Sequence, residues 1–273
     1  MSDYELAHAY ETVNLLRNEG AAKIELNRPD ALNAWNQQFG ADLRAATEAV
    51  ALDPEVRAVV ITGAGRAFSS GADLKDISGR EEQTPNGRPD VYKTLTQRYH
   101  PIMTALRTME KPVIAAVNGP AVGIGLSLAL ASDLVLAKES AYFLLAFVNI
   151  GLVPDGGSSV FVPNRVGFVR AMEMAMLGER IAAPQALEWG LINRVYPDDE
   201  FDAEVEAFVA KMASGPTRSY AATKRQVNAW LLRGWQDQLE LEAQTQREMA
   251  ASDDFMEGVL SFIQKRDPAF KGA

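Results

Sequence analysis

"PVIAAVNGPAVGIGLSLALASDLVLA", residues 112–137, is the most apolar stretch of the chain, and its reading decides the fold. By length alone it could cross a membrane as one helix. Asn118, Gly119 and Pro120 interrupt it after a strand-like run, and Ser132 with Asp133 interrupts it again. Such breaks end regular structure, so the stretch reads as strand, loop, buried helix, strand. That order of elements belongs to an α/β protein with much parallel sheet.

The flanks repeat the pattern. Short runs rich in β-branched residues, "AAKIEL" (21–26), "VRAVVIT" (56–62), "PVIAAV" (112–117), "DLVLA" (133–137) and "LINRVY" (191–196), alternate with helical stripes. Trp35, Phe39, Leu43, Ala46 and Val50 recur at spacings of 4, 4, 3 and 4, one face of an amphipathic helix. Ile102, Met103, Leu106 and Met109 do the same over 99–109. From about residue 199 the strands stop and helical stripes continue to about 265, starting with Phe201, Val205, Phe208, Val209 and Met212. The expected organisation is a core over 1–198 followed by a helical region over 199–273. The polar segment "SGREEQTPNGRPD" (78–90) has no apolar period and reads as a mobile surface loop.

A chain of 273 residues, 47% hydrophobic, can bury a large core. Without cysteine it has no disulfide framework, thiolate nucleophile or zinc–thiolate site. The N-terminal "MSDYELAHAYETVNLL" has neither a basic segment nor an apolar one of the secretory kind, so the expected address is the cytoplasm. A formal charge of −9 argues against a nucleic-acid partner, which needs a basic face. No His, Asp or Glu spacing points to a metal.

Two glycine-rich junctions follow strands, "ITGAGRAFSSGADLKDI" and "NGPAVGIGLSLAL", each placing free backbone N–H groups beside a helix start. Either alone reads as a tight turn. Asp155 in "NIGLVPDGGSSVF" (149–161) reads, on its own motif, as the N-cap of a following helix. Tyr220 and Lys224 form the Tyr-x-x-x-Lys pair of NAD-dependent short-chain dehydrogenases. That reading fails on the glycine pattern at Ala67 and on the pair's place in the helical tail. A serine hydrolase fails because "GLSLA" around Ser127 lacks the second glycine of a nucleophile elbow and both histidines, His8 and His100, precede it. His100, before Pro101, reads as a surface or core residue.

Taken together, "ELNRPDALNA" (25–34), "GRAFSSGADL" (65–74), "NGPAVGIGLSLALASDL" (118–134), "IGLVPDGGSS" (150–159) and "GERIAAPQALEWGLINRV" (178–195) resemble the crotonase superfamily, the enoyl-CoA hydratase/isomerase group. The resemblance runs from about residue 11 nearly to the end. It implies a spiral of ββα turns, then helices that build trimers, often paired into hexamers. It also implies an acyl-CoA thioester whose carbonyl oxygen is held by two backbone N–H groups, here those of Ala72 and Ile124. Family members usually carry glycine at the second position, so the Ile124 side chain must turn away from the thioester.

Contacts to the CoA moiety carry over to Arg28, Ala31, Ser70, Ala72 and Lys75, and those reaching a neighbouring subunit's CoA to Phe262 and Lys265. Basic residues suit the phosphates of CoA. Singly, Arg28 and Lys75 read equally well as solvated surface charges. The two glutamates with which the family's hydratases handle water are replaced by Ser127 and Phe147, and neither can act as a base. Asp155 falls where isomerases of the family, including dienoyl-CoA and phenylacetate-pathway isomerases, carry a catalytic acid.

The resemblance thus implies an enoyl-CoA isomerase with Asp155 as lone acid/base, needing no cofactor because CoA is part of the substrate. A free aspartate, with a pKa of about 3.9, is a weak base for proton abstraction. Its apolar neighbours Phe147, Val148, Ile150, Leu152 and Val153 are expected to raise that value by desolvation. A ring-opening epoxide- or oxepin-CoA isomerase, an enoyl-CoA hydratase and a non-catalytic acyl-CoA-binding protein remain as alternatives.

Overall fold

The structure is a computed structural model that describes residues 4–75, 83–84 and 87–273. An antiparallel meander opens it: β1 (Glu5–Ala9), β2 (Val13–Asn18) and β3 (Ala21–Leu26). Helix α1 (Gln37–Leu52) then carries the chain to β4 (Ala58–Gly63), parallel to β3. Next come α2 (Val91–Thr94), a π turn (Leu95–Tyr99) and α3 (His100–Thr108), leading into β5 (Val113–Val117), parallel to β4. The decisive stretch continues through β6 (Ala121–Val122) and α4 (Ile124–Ala131) to β7 (Leu134–Lys138), parallel to β5. Strand, loop, buried helix, strand is what forms, with the two-residue β6, not expected from the sequence, inserted between loop and helix. Among the described residues no helix is long and apolar enough to cross a membrane.

After β8 (Tyr142–Leu144) the chain makes a 3-10 turn over Ala146–Ile150 and enters α5 (Ser158–Leu177). It proceeds through β9 (Ile181–Ala182) and α6 (Ala183–Glu188) to β10 (Arg194–Tyr196), which pairs in parallel with β7. The large sheet has the order β1-β2-β3-β4-β5-β7-β10, and β6-β8-β9 form a small second sheet. Four helices follow: α7 (Phe201–Ser214), α8 (Thr217–Leu231), α9 (Trp235–Ala250) and α10 (Asp253–Gln264).

The apolar strand runs have a simple cause, since both faces of the sheet are covered. On β4, Val59 and Ile61 point into the main core with Phe39, Leu43, Ile102 and Leu106 of α1 and α3. Alternate residues Ala58 and Val60 point the other way, against Phe201, Val205 and Val209 of α7. Helix α7, which opens the helical region, therefore forms a layer of the sheet domain. The stripe on α1 is wholly buried, and Asn36 caps that helix by accepting the Phe39 N–H at 2.9 Å. Every residue of α4 is buried, as befits a helix apolar on all sides. The loop expected over 78–90 lies partly outside the described residues.

Candidate active site

The two glycine-rich junctions lie side by side. Ser69 N–H donates to the Pro120 carbonyl at 3.0 Å, and Val122 N–H donates to the Ser69 carbonyl at 2.9 Å. A side chain added at Gly71 would stand 3.0 Å from the Val122 carbonyl oxygen and 3.9 Å from Gly123 Cα, so only glycine, here at φ +93°, permits the approach.

Trans peptide geometry then aims the N–H groups. The Gly71 carbonyl accepts the Trp35 N–H at 2.8 Å, so the Ala72 N–H on the same peptide points away from Trp35 and finds no backbone acceptor among the described residues. The Gly123 carbonyl accepts the Ser127 N–H inside α4, so the Ile124 N–H projects outward from the helix start. Two outward N–H groups on touching segments, one at a helix N-terminus, suit a developing oxyanion. The Ile124 side chain is buried, and a Cβ built on Gly156 would stand only 2.4 Å from its Cδ1.

Asp155 lies on the turn packed against the first residues of α4. Its backbone carbonyl accepts the Ser127 hydroxyl at 2.7 Å, which ties the 155–157 turn to α4 and leaves Ser127 no role as a base. Phe147, buried, sits against Gly123. The Asp155 side chain is only 5% exposed. Gln246 on α9 accepts the Val153 N–H at 3.3 Å through its oxygen, which fixes its amide so that Nε2 donates to Asp155 Oδ2 at 2.7 Å. Oδ1 is buried without a partner among the described residues. Burial pushes the Asp155 carboxyl up to about 8; the nearby Glu242 charge adds to this and the Gln246 hydrogen bond opposes it.

The capping reading of Asp155 does not hold, because its carboxylate reaches no N–H of α5. That helix is capped from a distance by Glu242 on α9, whose carboxylate accepts the Gly157 N–H at 2.9 Å, the Ser159 N–H at 3.2 Å and the Ser159 hydroxyl. Burial raises Glu242 to about 7, against the lowering effect of these hydrogen bonds. His100 Nε2 lies 3.8 Å from Glu242 Oε2, and burial lowers His100 to about 4, so its ring is neutral.

Reasoning from sequence missed Glu242, Gln246 and the place of His100 beside Glu242. The signal was available: Glu242 and Gln246 fall on the same face of α9 as Leu239, Ala243 and Ala250, all buried. Polar residues on a buried helical face need partners.

The residues expected to hold CoA are partly gathered. Ser70 N–H donates to the Leu32 carbonyl at 2.9 Å and its hydroxyl to the Ala31 carbonyl at 3.4 Å, joining the first two motifs. Arg28 is no solvated surface charge. Its guanidinium pairs with Asp73 at 3.1 Å and donates to the Ala34 carbonyl, locking the same two motifs together. Lys75 follows, exposed, and Phe262 in the last turn of α10 and Lys265 just after that helix are also exposed. Among the described residues no hydrogen bond or ion pair joins Phe262 or Lys265 to the Arg28 group.

Lys224 is spent structurally: its ammonium pairs with Asp133 at 2.8 Å and donates to the Leu106 carbonyl at 2.7 Å, which removes the dehydrogenase reading. Among the described residues no group of three or more His, Asp or Glu side chains is gathered as a metal ion would need.

Comparison with known proteins shows the class to which this fold belongs. The family model described as enoyl-CoA hydratase/isomerase matches residues 16–273. A probable enoyl-CoA hydratase of Rhodobacter capsulatus is 42% identical over 264 residues, covering 97% of this chain and 99% of the relative. The 1,2-epoxyphenylacetyl-CoA isomerase of Escherichia coli is 37% identical over 254 residues, 93% of this chain and 96% of that one. The crystal structure of an enoyl-CoA hydratase from Mycobacterium avium subsp. paratuberculosis superposes with a TM-score of 0.87 at 40% identity, over 96% of this chain and all of the other. The chain belongs to the enoyl-CoA hydratase/isomerase family and has the crotonase fold.

Proposed function

We propose that the protein is an enoyl-CoA isomerase that moves a C=C bond along an acyl chain carried as a CoA thioester. Asp155 Oδ1 takes a proton from C2 of a 3-enoyl-CoA. The freed electron pair moves into the thioester carbonyl, and the resulting dienolate oxygen accepts the Ala72 and Ile124 N–H groups. As the carbonyl re-forms, electrons flow out to C4, which takes the proton back from Asp155 and leaves the double bond at C2–C3. Protons and electrons balance with no redox partner. Arg28, Ala31, Ser70, Ala72 and Lys75 hold the CoA moiety, and Phe262 and Lys265 serve a neighbouring copy's CoA within a trimer or a pair of trimers.

The observation that carries this reading is the bare Oδ1 of a buried carboxyl on the turn packed against the start of α4, with Ser127 and Phe147 at the positions of the hydratase glutamates. One carboxyl suffices to move a proton between two carbons, whereas hydration needs a water positioned and its proton handled. Paired assays on one preparation test it. Isomerisation of a 3-enoyl-CoA should outrun hydration of crotonyl-CoA by far, and hydration faster than isomerisation with both substrates saturating rejects the reading.

A second reading is supported by the likeness to the E. coli isomerase: ring opening of an epoxide carried on a CoA thioester. The two differ in the proton state they need. Abstraction at C2 needs Asp155 ionised, so its rate rises with pH through the value of about 8. Opening that begins by protonating the epoxide oxygen needs the neutral carboxyl, so its rate falls over the same range. The sign of the pH dependence with each substrate therefore reports which step Asp155 performs.

A further inference from the structure

Helix α9 presents Gln238, Glu242 and Gln246, spaced four residues apart along one face, to the segment that holds Asp155. Gln238 Nε2 donates to the Ser159 hydroxyl at 3.0 Å, Glu242 accepts from Gly157 and Ser159, and Gln246 takes Val153 and Asp155. Contacts at four-residue spacing lie on one line of a helix, so the stripe grips 153–159 along its length. Trp235 starts the line, packed on Phe161 of α5 with ring centroids 5.2 Å apart. Only Glu242 on this stripe can carry charge, and it is 3% exposed. A carboxylate that served only to cap α5 would not need burial beside a second carboxyl, where both charges are disfavoured.

We propose that Glu242 is a positioning residue for Asp155: from α9 it fixes the 153–159 segment and, through its negative charge, strengthens the hold of Asp155 on its proton. The inference rests on the reading of Asp155 as the acid/base, and it explains how an aspartate comes to exchange protons near neutral pH. Burial alone raises the proton affinity of Asp155, but a like charge on a carboxylate bonded to Gly157, two residues on, adds to it, whereas a neutral amide would not. Because burial raises both carboxyls and the charge of one acts on the other, their protons leave in two steps that belong to the pair.

The titratable and charged groups around this place are few. Asp155 faces Glu242 from the segment before α5, and His100, neutral, faces it from α3. Glu240, one residue off the stripe, acts on His100 and is bonded to the Tyr92 hydroxyl. Arg247 pairs with Asp90 at 3.8 Å and stacks on Tyr92.

The test is Glu242→Gln, which keeps the shape and an oxygen for the Gly157 N–H but removes the charge. Infrared titration reads the Asp155 carboxylic C=O band, identified by its loss in Asp155→Asn. In Glu242→Gln its midpoint should move to lower pH by about half a unit or more, the size expected for removing one like charge nearby. The midpoint of kcat/KM for a 3-enoyl-CoA should move with it, while KM changes little. Glu242→Asp, which restores the charge on a shorter stem, should return both midpoints towards wild type and guards against a folding defect in the Gln variant. An unmoved infrared midpoint in a folded Glu242→Gln protein overturns the proposal. If the band moves but Asp155→Asn remains active, the effect of Glu242 on Asp155 stands and it is the assignment of Asp155 as the base that falls.

Discussion

Exchanging Asp155 for Asn keeps the shape of the side chain and an acceptor for the Gln246 amide, but puts an NH2 where the bare Oδ1 stands. The variant cannot take a proton from C2, so turnover should fall by roughly a hundredfold or more while CoA-ester binding persists, read by single-turnover and binding assays. Stability gives a second readout. A carboxyl whose pKa is raised on folding contributes stability that is full below the unfolded value and lost as pH rises through the folded one. For Asp155 that window runs from about 4 to about 8, and the Asn variant lacks the effect. Melting curves should show Asp155→Asn gaining on the wild type as pH is raised from 5 to 9; parallel curves would mean that Asp155 is not buried as a neutral acid. The buried setting of Asp155 was legible in the sequence because its apolar neighbours are contiguous with it, whereas its own motif read as a helix cap and only the family resemblance pointed to an acid/base. Its controlling partners were not, since Gln246 lies 91 residues away and only packing of α9 on the 153–159 segment brings it there.

Among elements, α4 is where packing would reach the chemistry proposed above. A Cβ at Gly125 would stand 2.6 Å from Ser69 Cβ and 2.7 Å from the Ser69 carbonyl oxygen, so Gly125→Ala must push α4 off the neighbouring segment. The Ile124 N–H moves with the helix and the Ala72 N–H does not. Displacing one oxyanion donor by a fraction of an ångström should lower kcat by roughly tenfold to a hundredfold, with a stability loss of about 1–3 kcal/mol from overpacking. Steady-state kinetics at wild-type kcat would show that the two N–H groups do not act together. Helix α8 is held differently: Asp133 pairs with Lys224 at 2.8 Å and Arg107 at 3.0 Å and accepts the Val113 N–H at 2.9 Å. Removing that carboxylate leaves two largely buried cations, so Asp133→Ala should cost roughly 3–5 kcal/mol in urea denaturation. The central strands and the helices α1 and α3 announce themselves through runs and stripes because each buries a whole face. β1 is exposed throughout, β6 and β9 have two residues each, and such pieces have no period to read; they form because neighbouring strands offer hydrogen bonds.

At the scale of the whole molecule, the surface carries apolar faces that folding of one chain leaves uncovered. Beyond the break at Gly167, α5 exposes Phe168 (73%), Val169 (77%), Met176 (63%) and Leu177 (55%) on its outer half. On α10, Phe262 (59%) and Ile263 (50%) face outward while Phe255 and Val259 pack inward with Ile150 and Leu152. Contiguous apolar patches of this kind mark interaction sites more often than free surface. The trimer proposed above would bury them, and in that case Val169→Asp with Phe168→Ser should give smaller species by light scattering while the fold persists, because neither side chain belongs to the core. Sharing of sites between copies has a sharper test than truncation, which would also strip Phe255 and Val259 from Ile150. Protomers carrying Asp155→Asn keep the α10 end, and protomers carrying Phe262→Ala and Lys265→Glu keep Asp155. Co-expressed, the two defective chains can form sites in which Asp155 comes from one and the CoA contacts from the other. Isomerase activity of the mixed assembly above the mean of the two parents is the expected result if a neighbour supplies Phe262 and Lys265. Activity at that mean in assemblies shown to contain both chains would place those residues in the service of their own chain's site or of none.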